Sequence, residues 1–403
     1  MTDLSILIPA RCEQFLTRTI EDILANAEGD TEVICVLDGQ WADPPIPDHQ
    51  RVTIIYHSES IGQRAATNEA AHLAQGKYLM KVDAHCAFDR GFDVKLMADM
   101  EDDITMVPVM RNLHVFNWKC LNCGMEVYQG PKPEMCRNET CTFDEQRFEQ
   151  NIVWIPKTNP QSSAYRINKN LRFKYFPELR AKQTKTGLAE TMTLQGSCFI
   201  CTAERFWSLN LCDESWGSWG QQGSEVALKT WLSGGRVLCN MDTWYAHLFR
   251  TQPGFDHPFP DPSKSQQRAI KICQDIFLNN KWDKAVRPLS WLLDKFWFAL
   301  QDVKDPEARW EEEDSLRLRE AGMVFLVSKS LTDSTKFSKG ILYYTDNCLD
   351  EKIMAACQKQ LMKSVNGNRI ISVSLQPMQF GDNIHLPLER GYLTMFKQIL
   401  EGR

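Results

Sequence analysis

Short apolar runs alternate with helix-period segments over the first ninety residues, and this alternation constrains the fold more than any other feature. Leu4–Ala10 (Leu-Ser-Ile-Leu-Ile-Pro-Ala) is apolar and β-branched and is stopped by Pro9, which predicts a buried strand. Residues 14–27 place Phe15, Leu16, Ile20, Ile23 and Leu24 at helical spacing. A second strand is expected over 31–37, ending at the turn pair Asp38-Gly39, and a third over 52–56. Residues 63–75 form an alanine-rich helix, with Gly76 as its expected C-terminal cap. Tyr78–Val82 is a fourth strand, and Asp83-Ala84-His85 follows it directly. Strands alternating with helices predict a parallel α/β sheet, and such sheets bind ligands beyond the carboxyl ends of their strands. Arg11, Glu13, Asp38 and Asp83 all fall at such ends.

Composition narrows the function classes. A length of 403 residues predicts two to three domains, and 43 % hydrophobic with 24 % charged residues is ordinary globular usage. With 52 acidic against 46 basic residues the net charge is −6, which excludes tight nucleic-acid binding by bulk charge. No apolar run approaches the roughly 20 residues that span a bilayer, so no membrane partner is expected. Met1-Thr2-Asp3-Leu4 lacks the basic and apolar regions of a signal peptide. Fourteen cysteines without an export signal suggest thiols or metal ligands in a reducing, cytoplasmic compartment.

Asp83-x-His85 has a chemical meaning beyond a polar turn. A carboxylate and an imidazole two residues apart, where the chain turns after a strand, can face one ion, and this donor set suits Mn²⁺ (or Mg²⁺). Such an ion could clamp a diphosphate and neutralise a leaving nucleotide. On the tripeptide alone, a polar turn remains the alternative.

Longer segments carry a family resemblance. Ser5-Ile-Leu-Ile-Pro-Ala-Arg-Cys-Glu13 is similar to the opening strand of family-2-type glycosyltransferases with the GT-A fold. The segment 62–86 (Gly62-Gln-Arg-Ala-Ala through Lys-Val-Asp-Ala-His-Cys86) resembles their donor-binding helix and metal strand. Its Asp-x-His-Cys form resembles the polypeptide N-acetylgalactosaminyltransferases more than the common Asp-x-Asp form does. Trp219-Gly-Gln-Gln-Gly-Ser-Glu-Val resembles that family's Trp-Gly-Gly-Glu-Asn helix, and Trp244-Tyr-Ala-His-Leu-Phe-Arg250 its closing His-x-Phe-Arg. The resemblance implies His247 as third metal ligand, with Arg250 and Trp219 at the nucleotide. It further implies that Pro9, Arg11, Glu13, Asp38 and Arg64 line the nucleoside and phosphate side of a nucleotide-sugar donor, a UDP-sugar. The family's Glu-Asn is replaced by Gln222-Gly223. Glu225, about one helical turn from Gln222, is the candidate base in the same cleft or else an ordinary helix-surface glutamate, and inverting versus retaining chemistry stays open.

Cys120, Cys123, Cys136 and Cys141 give C-x2-C-x12-C-x4-C, the spacing of a zinc ribbon, with Gly124 suited to the tight knuckle. Structural Zn²⁺ is expected there, with no open position for catalysis. Cys198 and Cys201 also make C-x2-C, but within a strand expected over 194–201 they face opposite ways and read as buried thiols.

Residues 165–185 hold Arg166, Lys169, Arg172, Lys174, Arg180, Lys182 and Lys185 against Glu178, interleaved with Tyr165, Phe173, Tyr175 and Phe176. This pattern reads either as a solvated lid beside an anionic donor or as a grip for nucleic acid. Residues 263–300 are expected to be helical and to pack on the catalytic domain. Beyond Gly340 a strand running into a turn over 341–347, a helix at 350–365, a strand at 370–375 and a helix at 391–400 predict a small α/β unit. It resembles the opening of a second glycosyltransferase-like domain in some phage proteins.

The expected architecture is therefore an α/β, GT-A (nucleotide-diphospho-sugar transferase, Rossmann-like) domain at 1–300 with a zinc-ribbon insert at 115–145. A charged linker or helix at 301–335 follows, then a partial second module at 336–403 that could serve docking or homo-oligomerisation. The expected function is metal-dependent glycosyl transfer to an acceptor, with a modified base in DNA, a glycan, a protein and a small molecule as candidates. If phage-encoded, the protein would act in the host cytoplasm. The alternative from another class is a nucleic-acid-binding module on an inactive scaffold. No Gly-rich phosphate loop with a following lysine is present, which disfavours P-loop chemistry.

Overall fold

The computed structural model describes residues 2–141, 147–255, 262–320, 340–345, 351–364 and 369–385. The chain divides into two compact units, Met1–Gly322 and Met323–Arg403.

The first unit is built on one mixed sheet. Its first half is β1 (Leu4–Ala10), α1 (Leu16–Asn26), β2 (Thr31–Asp38), β3 (Val52–His57), α2 (Gln63–Leu73) and β4 (Tyr78–Val82). The strands lie in the parallel order β3-β2-β1-β4. β1 and β2 are buried almost throughout, as parallel strands covered on both faces must be. Ala66, Ala70 and Ala71 are buried along α2, and their small side chains let that helix lie close to the sheet. Gly76 is not a cap: α2 ends at Leu73 with Ala74 already extended. Glycine is required at 76 because a Cβ there would lie 2.6 Å from the backbone nitrogen of Ser5 in β1.

The second half turns the sheet mixed. It comprises β5 (Cys86–Phe88), α3 (Phe92–Ala98), β6 (Ile104–Cys120), β7 (Glu126–Tyr128), β8 (Phe148–Ser162), β9 (Tyr165–Ile167), β10 (Phe173–Tyr175), α4 (Pro177–Arg180), β11 (Leu188–Glu190), β12 (Cys198–Thr202), α5 (Ala203–Ser208), α6 (Gln222–Leu232) and β13 (Arg236–His247). β12 lies antiparallel between β4 and β6, and β13 runs parallel to β6 on its other side. β12 is shorter than the strand expected over 194–201, and both Cys198 and Cys201 are buried in it. β6 continues beyond the sheet as a long arm paired with β8 and β7.

Helices α7 (Pro262–Leu278) and α8 (Leu289–Leu300) cover α6, whose eleven residues are all buried. Trp231 of α6 packs on Trp291 and Phe296 of α8 at centroid distances of 6.0 and 5.7 Å. The segment expected as a charged linker or helix is helical over 312–320, but residues 301–320 are not solvated throughout. Val303, Ala308, Trp310 and Leu318 are buried, the Trp310 indole donates to the carbonyl of Ile167, and Ser315 and Arg319 bond Asp294 of α8. Apolar side chains among the charges give this segment a face to bury, so the first unit extends to Gly322 instead of ending near 300.

The second unit has a three-stranded parallel sheet of β14 (Gly340–Thr345), β15 (Arg369–Ser374) and β16 (Asp382–His385), with α9 (Glu351–Ser364) joining the first two. The helix expected at 391–400 and the linker expected at 321–335 lie outside the described residues. Among the described residues, no helix is long and apolar enough to cross a membrane.

Candidate active site

Strand ends assemble the central cluster. β4 stops at Val82, and the Asp83 amide donates to the carbonyl of Ser197 at the start of β12. β5 then pairs antiparallel with β13 so that Cys86 lies opposite His247. That register brings the His85 and His247 imidazoles together, with their Nε2 atoms 3.0 Å apart. His247 Nε2 lies 3.2 Å from Asp83 Oδ2, and one donor atom from each of the three residues falls within 4.8 Å of the others. Neighbouring ligands of an octahedral ion with bonds of about 2.1 Å lie about 3.0 Å apart. Two imidazole nitrogens and a carboxylate oxygen at these separations therefore fit a divalent ion of the Mn²⁺ or Mg²⁺ type. Both histidines are buried, whereas the Asp83 side chain is 25 % exposed, so the cluster opens on the aspartate side.

The electrostatics favour ligation. Burial lowers the His247 pKa to about 4, with help from the neighbouring His85 and Lys81 against the opposing Asp83, so its imidazole is neutral at pH 7. Burial would raise Asp83, but Lys81 and His247 outweigh it and hold the carboxyl far below its usual range. Lys81 is a candidate site residue that sequence reasoning missed. It is buried, pairs with Asp83 and donates 2.8 Å to the carbonyl of Gly196. Its signal was a lone cation in the apolar run Tyr-Leu-Met-Lys-Val, two residues before Asp83 and thus on the same strand face.

Glu13 lies behind the cluster and does not line an open donor face. Its carboxylate is buried, with Oε2 3.2 Å from His85 Nδ1 and 3.0 Å from Arg250 Nη2. Burial raises the Glu13 pKa, yet His85 and Arg250 outweigh it and the carboxyl sits below its ordinary value. A carboxylate on Nδ1 fixes the tautomer that leaves the Nε2 lone pair for a metal. The Arg250 guanidinium also lies 5.6 Å from the Phe255 ring centroid.

Other expected site residues are placed differently. Asp38 is buried at the end of β2, where it accepts from the Ser60 hydroxyl and the amides of Ile61 and Gly62, tying β2 to the start of α2. Arg64 and Glu225 do not face the cleft. They are 1 % and 0 % exposed and pair with each other, and Glu225 also accepts from Lys229 at 2.6 Å. The reason is that α6 is enclosed on every side, so Glu225 has no solvent face and its charge is met by cations from α2 and from its own next turn. Pro9, Arg11 and Trp219 are half-buried, the first two at and just past the end of β1. Trp219 is anchored through its backbone to Ser265 of α7. Gln222-Gly223 opens α6, and a Cβ on Gly223 would collide with the carbonyl of Leu194.

The four cysteines of the insert gather, each offering a sulfur within 4.8 Å of the rest. The basic stretch is partly structural. Arg166 is buried on the carbonyl of Ala308, Arg180 bonds the carbonyl of Gln161, and Lys182 pairs with Asp302. Tyr165 and Phe176 are core residues, which leaves Lys169, Arg172, Lys174, Lys185 and Tyr175 exposed.

Residues 5–119 match the family model described as Glycosyl transferase family 2. The chain is 22 % identical over 285 residues to the putative polypeptide N-acetylgalactosaminyltransferase 13 of Drosophila melanogaster, over 66 % of this chain and 44 % of that protein. It is 21 % identical over 303 residues to polypeptide N-acetylgalactosaminyltransferase 14 of Homo sapiens, over 72 % of this chain and 48 % of that protein. The chain thus spans about half the length of the curated relatives it matches. A crystal structure of GalNAc-T7 with UDP, GalNAc and Mn²⁺ superposes with a TM-score of 0.47 at 16 % identity, covering 84 % of this chain and 58 % of that one.

Proposed function

We propose that this chain is a metal-dependent glycosyltransferase that moves a sugar from a nucleotide-sugar donor, a UDP-sugar, to an acceptor. The family-2 match over 5–119 and relatives named as N-acetylgalactosaminyltransferases support the reaction class. The observation that carries the proposal is the convergence of Asp83, His85 and His247 across more than 160 residues of sequence, at 3.0 and 3.2 Å. A binding module on an inactive scaffold gives no reason for that convergence.

Asp83, His85 and His247 would hold Mn²⁺ (or Mg²⁺), which when bound supplies positive charge against a departing nucleoside diphosphate. The chain's own residues prepare the site. Lys81 keeps Asp83 ionised, Glu13 holds the His85 tautomer, and the same carboxylate holds Arg250 as a second cation for the phosphates. Arg11, Pro9 and Trp219 are the half-buried residues assigned to the donor. Glu225, Arg64 and Asp38 act by holding the scaffold, so an inverting reaction would need a base other than Glu225. For the acceptor, a base in DNA is supported by the exposed Lys169, Arg172, Lys174, Lys185 and Tyr175.

The test is nucleotide release from a panel of nucleotide sugars, with and without Mn²⁺. Asp83→Ala and His247→Ala should each lower turnover at least about a hundredfold, the scale of losing roughly 2.7 kcal/mol of transition-state stabilisation. Metal-independent release by the wild type, or full turnover by His247→Ala, refutes the metal assignment. Oligonucleotide binding that ignores neutralisation of Arg172 and Lys174 removes the DNA acceptor.

A further inference from the structure

The cysteine cluster lies outside the site just described, yet the chain between its two halves reaches that site. We propose that Cys120, Cys123, Cys136 and Cys141 hold one structural Zn²⁺, and that this closed metal site braces the segment carrying Arg250.

The metal half rests on geometry and on what the insert lacks. Cys123 Sγ and Cys136 Sγ are 3.5 Å apart, Cys120 Sγ and Cys141 Sγ are 3.9 Å apart, and all four lie within 4.8 Å of one another. These separations exceed the roughly 2.05 Å of a disulfide. Four thiolates at about 2.3 Å around a tetrahedral Zn²⁺ lie about 3.8 Å from one another, which matches. The backbone forms the matching knuckle. The amide of Gly124 donates to the carbonyl of Cys120, the amide of Cys120 to the carbonyl of Met125, and Gly124 takes φ +75°, a conformation that suits glycine. The amide of Asn138 points at Cys136 Sγ. Between residues 121 and 141 only Gln129 and Gly130 are buried, so no apolar side chain there forms a core. A metal supplies the order that such a loop cannot supply by burial. Four thiolates close the shell, which makes the site structural.

The bracing half follows from where Gln129 and Gly130 go. They sit between the two cysteine pairs, directly after β7. The Gln129 side chain accepts from the amide of Val115 and donates to the carbonyl of Leu113, so it is built into the edge of β6. The Gln129 carbonyl accepts from Gln252 Nε2 at 3.2 Å. Gly130 takes φ +146°, and a Cβ there would collide with the Gln252 side chain. A Cβ on Gly254 would likewise touch Pro131. Residues 251–254 are otherwise exposed, and they connect Arg250 to Phe255, whose ring packs on Phe116 of β6. The metal fixes both ends of the 123–136 loop, the loop fixes Gln252, and Gln252 limits the freedom of the Arg250 segment. The assignment of Arg250 to the donor phosphates belongs to the glycosyltransferase proposal, whereas zinc binding and bracing do not depend on it.

The experiment uses the full chain, purified without chelator or added metal, and no readout involves donor turnover. Elemental analysis should find about one zinc per chain, and the double variant Cys123→Ser/Cys136→Ser should retain less than a tenth of that. Iron in place of zinc, less than a tenth of a zinc in the wild type, or unchanged zinc in the variant overturns the metal site. Hydrogen exchange then tests the brace. In the variant, and in wild type stripped of zinc by a thiol reagent, peptides covering 113–131 and 248–255 should exchange at least tenfold faster while those covering β1 and β2 keep their wild-type rates. Unchanged exchange at 248–255 overturns the brace. Gln252→Ala provides the control with an intact metal site: it should keep its zinc and still speed exchange at 248–255, and protection equal to wild type there also refutes the brace.

Discussion

Replacing Glu225 by alanine separates a catalytic glutamate from a scaffold one. The Glu225 carboxylate is 0 % exposed and lies between Arg64 and Lys229, which are 1 % and 2 % exposed. Removing it leaves two buried cations. Arg64 retains the carbonyl of Gly220 at 2.6 Å, and Lys229 retains the carbonyl of Asn210 at 2.6 Å and Asp213 at 3.8 Å. Breaking a buried ion pair from one side costs about 3–5 kcal/mol, because the remaining charge keeps its desolvation penalty. With a urea slope of roughly 3 kcal/mol/M, the unfolding midpoint should fall by about 1–1.7 M. All twelve tryptophans lie between residues 41 and 310, so indole fluorescence follows the first unit alone. Arg64→Met/Glu225→Leu/Lys229→Met removes the charges together and should recover most of the loss, since apolar replacement of a complete buried network is often neutral or stabilising. A wild-type midpoint for Glu225→Ala, together with collapsed nucleotide release, would refute the scaffold role and return Glu225 to the chemistry.

Two further substitutions probe the supports of the metal cluster. Glu13→Gln keeps the side-chain shape but removes the charge shared by His85 and Arg250, and it should weaken Mn²⁺ binding roughly tenfold to a hundredfold in a calorimetric titration without donor. Unchanged affinity would mean that the His85 tautomer is fixed elsewhere. Gly223→Ala should destabilise by about 1–3 kcal/mol through overpacking, because its Cβ would collide with the carbonyl of Leu194 and lie 2.9 Å from the amide of Gly196. A gain of up to about 1 kcal/mol, the propensity of alanine over glycine in a helix, would show that α6 shifts freely.

The sequence is legible where one period decides the outcome. β1 and β4 fall on their expected residues and β2, β3, α1 and α2 within one or two, because buried parallel strands and an alanine face carry local patterns. Asp83, His85 and His247 were legible because strand ends and a closing motif mark them. The β6–β8 arm was not, since its pairing depends on contacts between residues far apart and on irregular register near Leu113 and Phe116. Glu225 was misplaced for a similar reason: helical spacing gives a residue's face, and only packing tells whether that face meets solvent. The Gln222-Gly223 departure shows how the two kinds of information differ. In the sequence it removes a carboxylate from an expected catalytic position. In the fold the glycine lets the first turn of α6 lie against the Leu194 carbonyl and the Gly196 amide, and the Gly196 carbonyl in turn accepts from Lys81, the cation on Asp83. A position without a titratable group thus helps set the electrostatics of the metal cluster, through the contact that only a missing side chain permits.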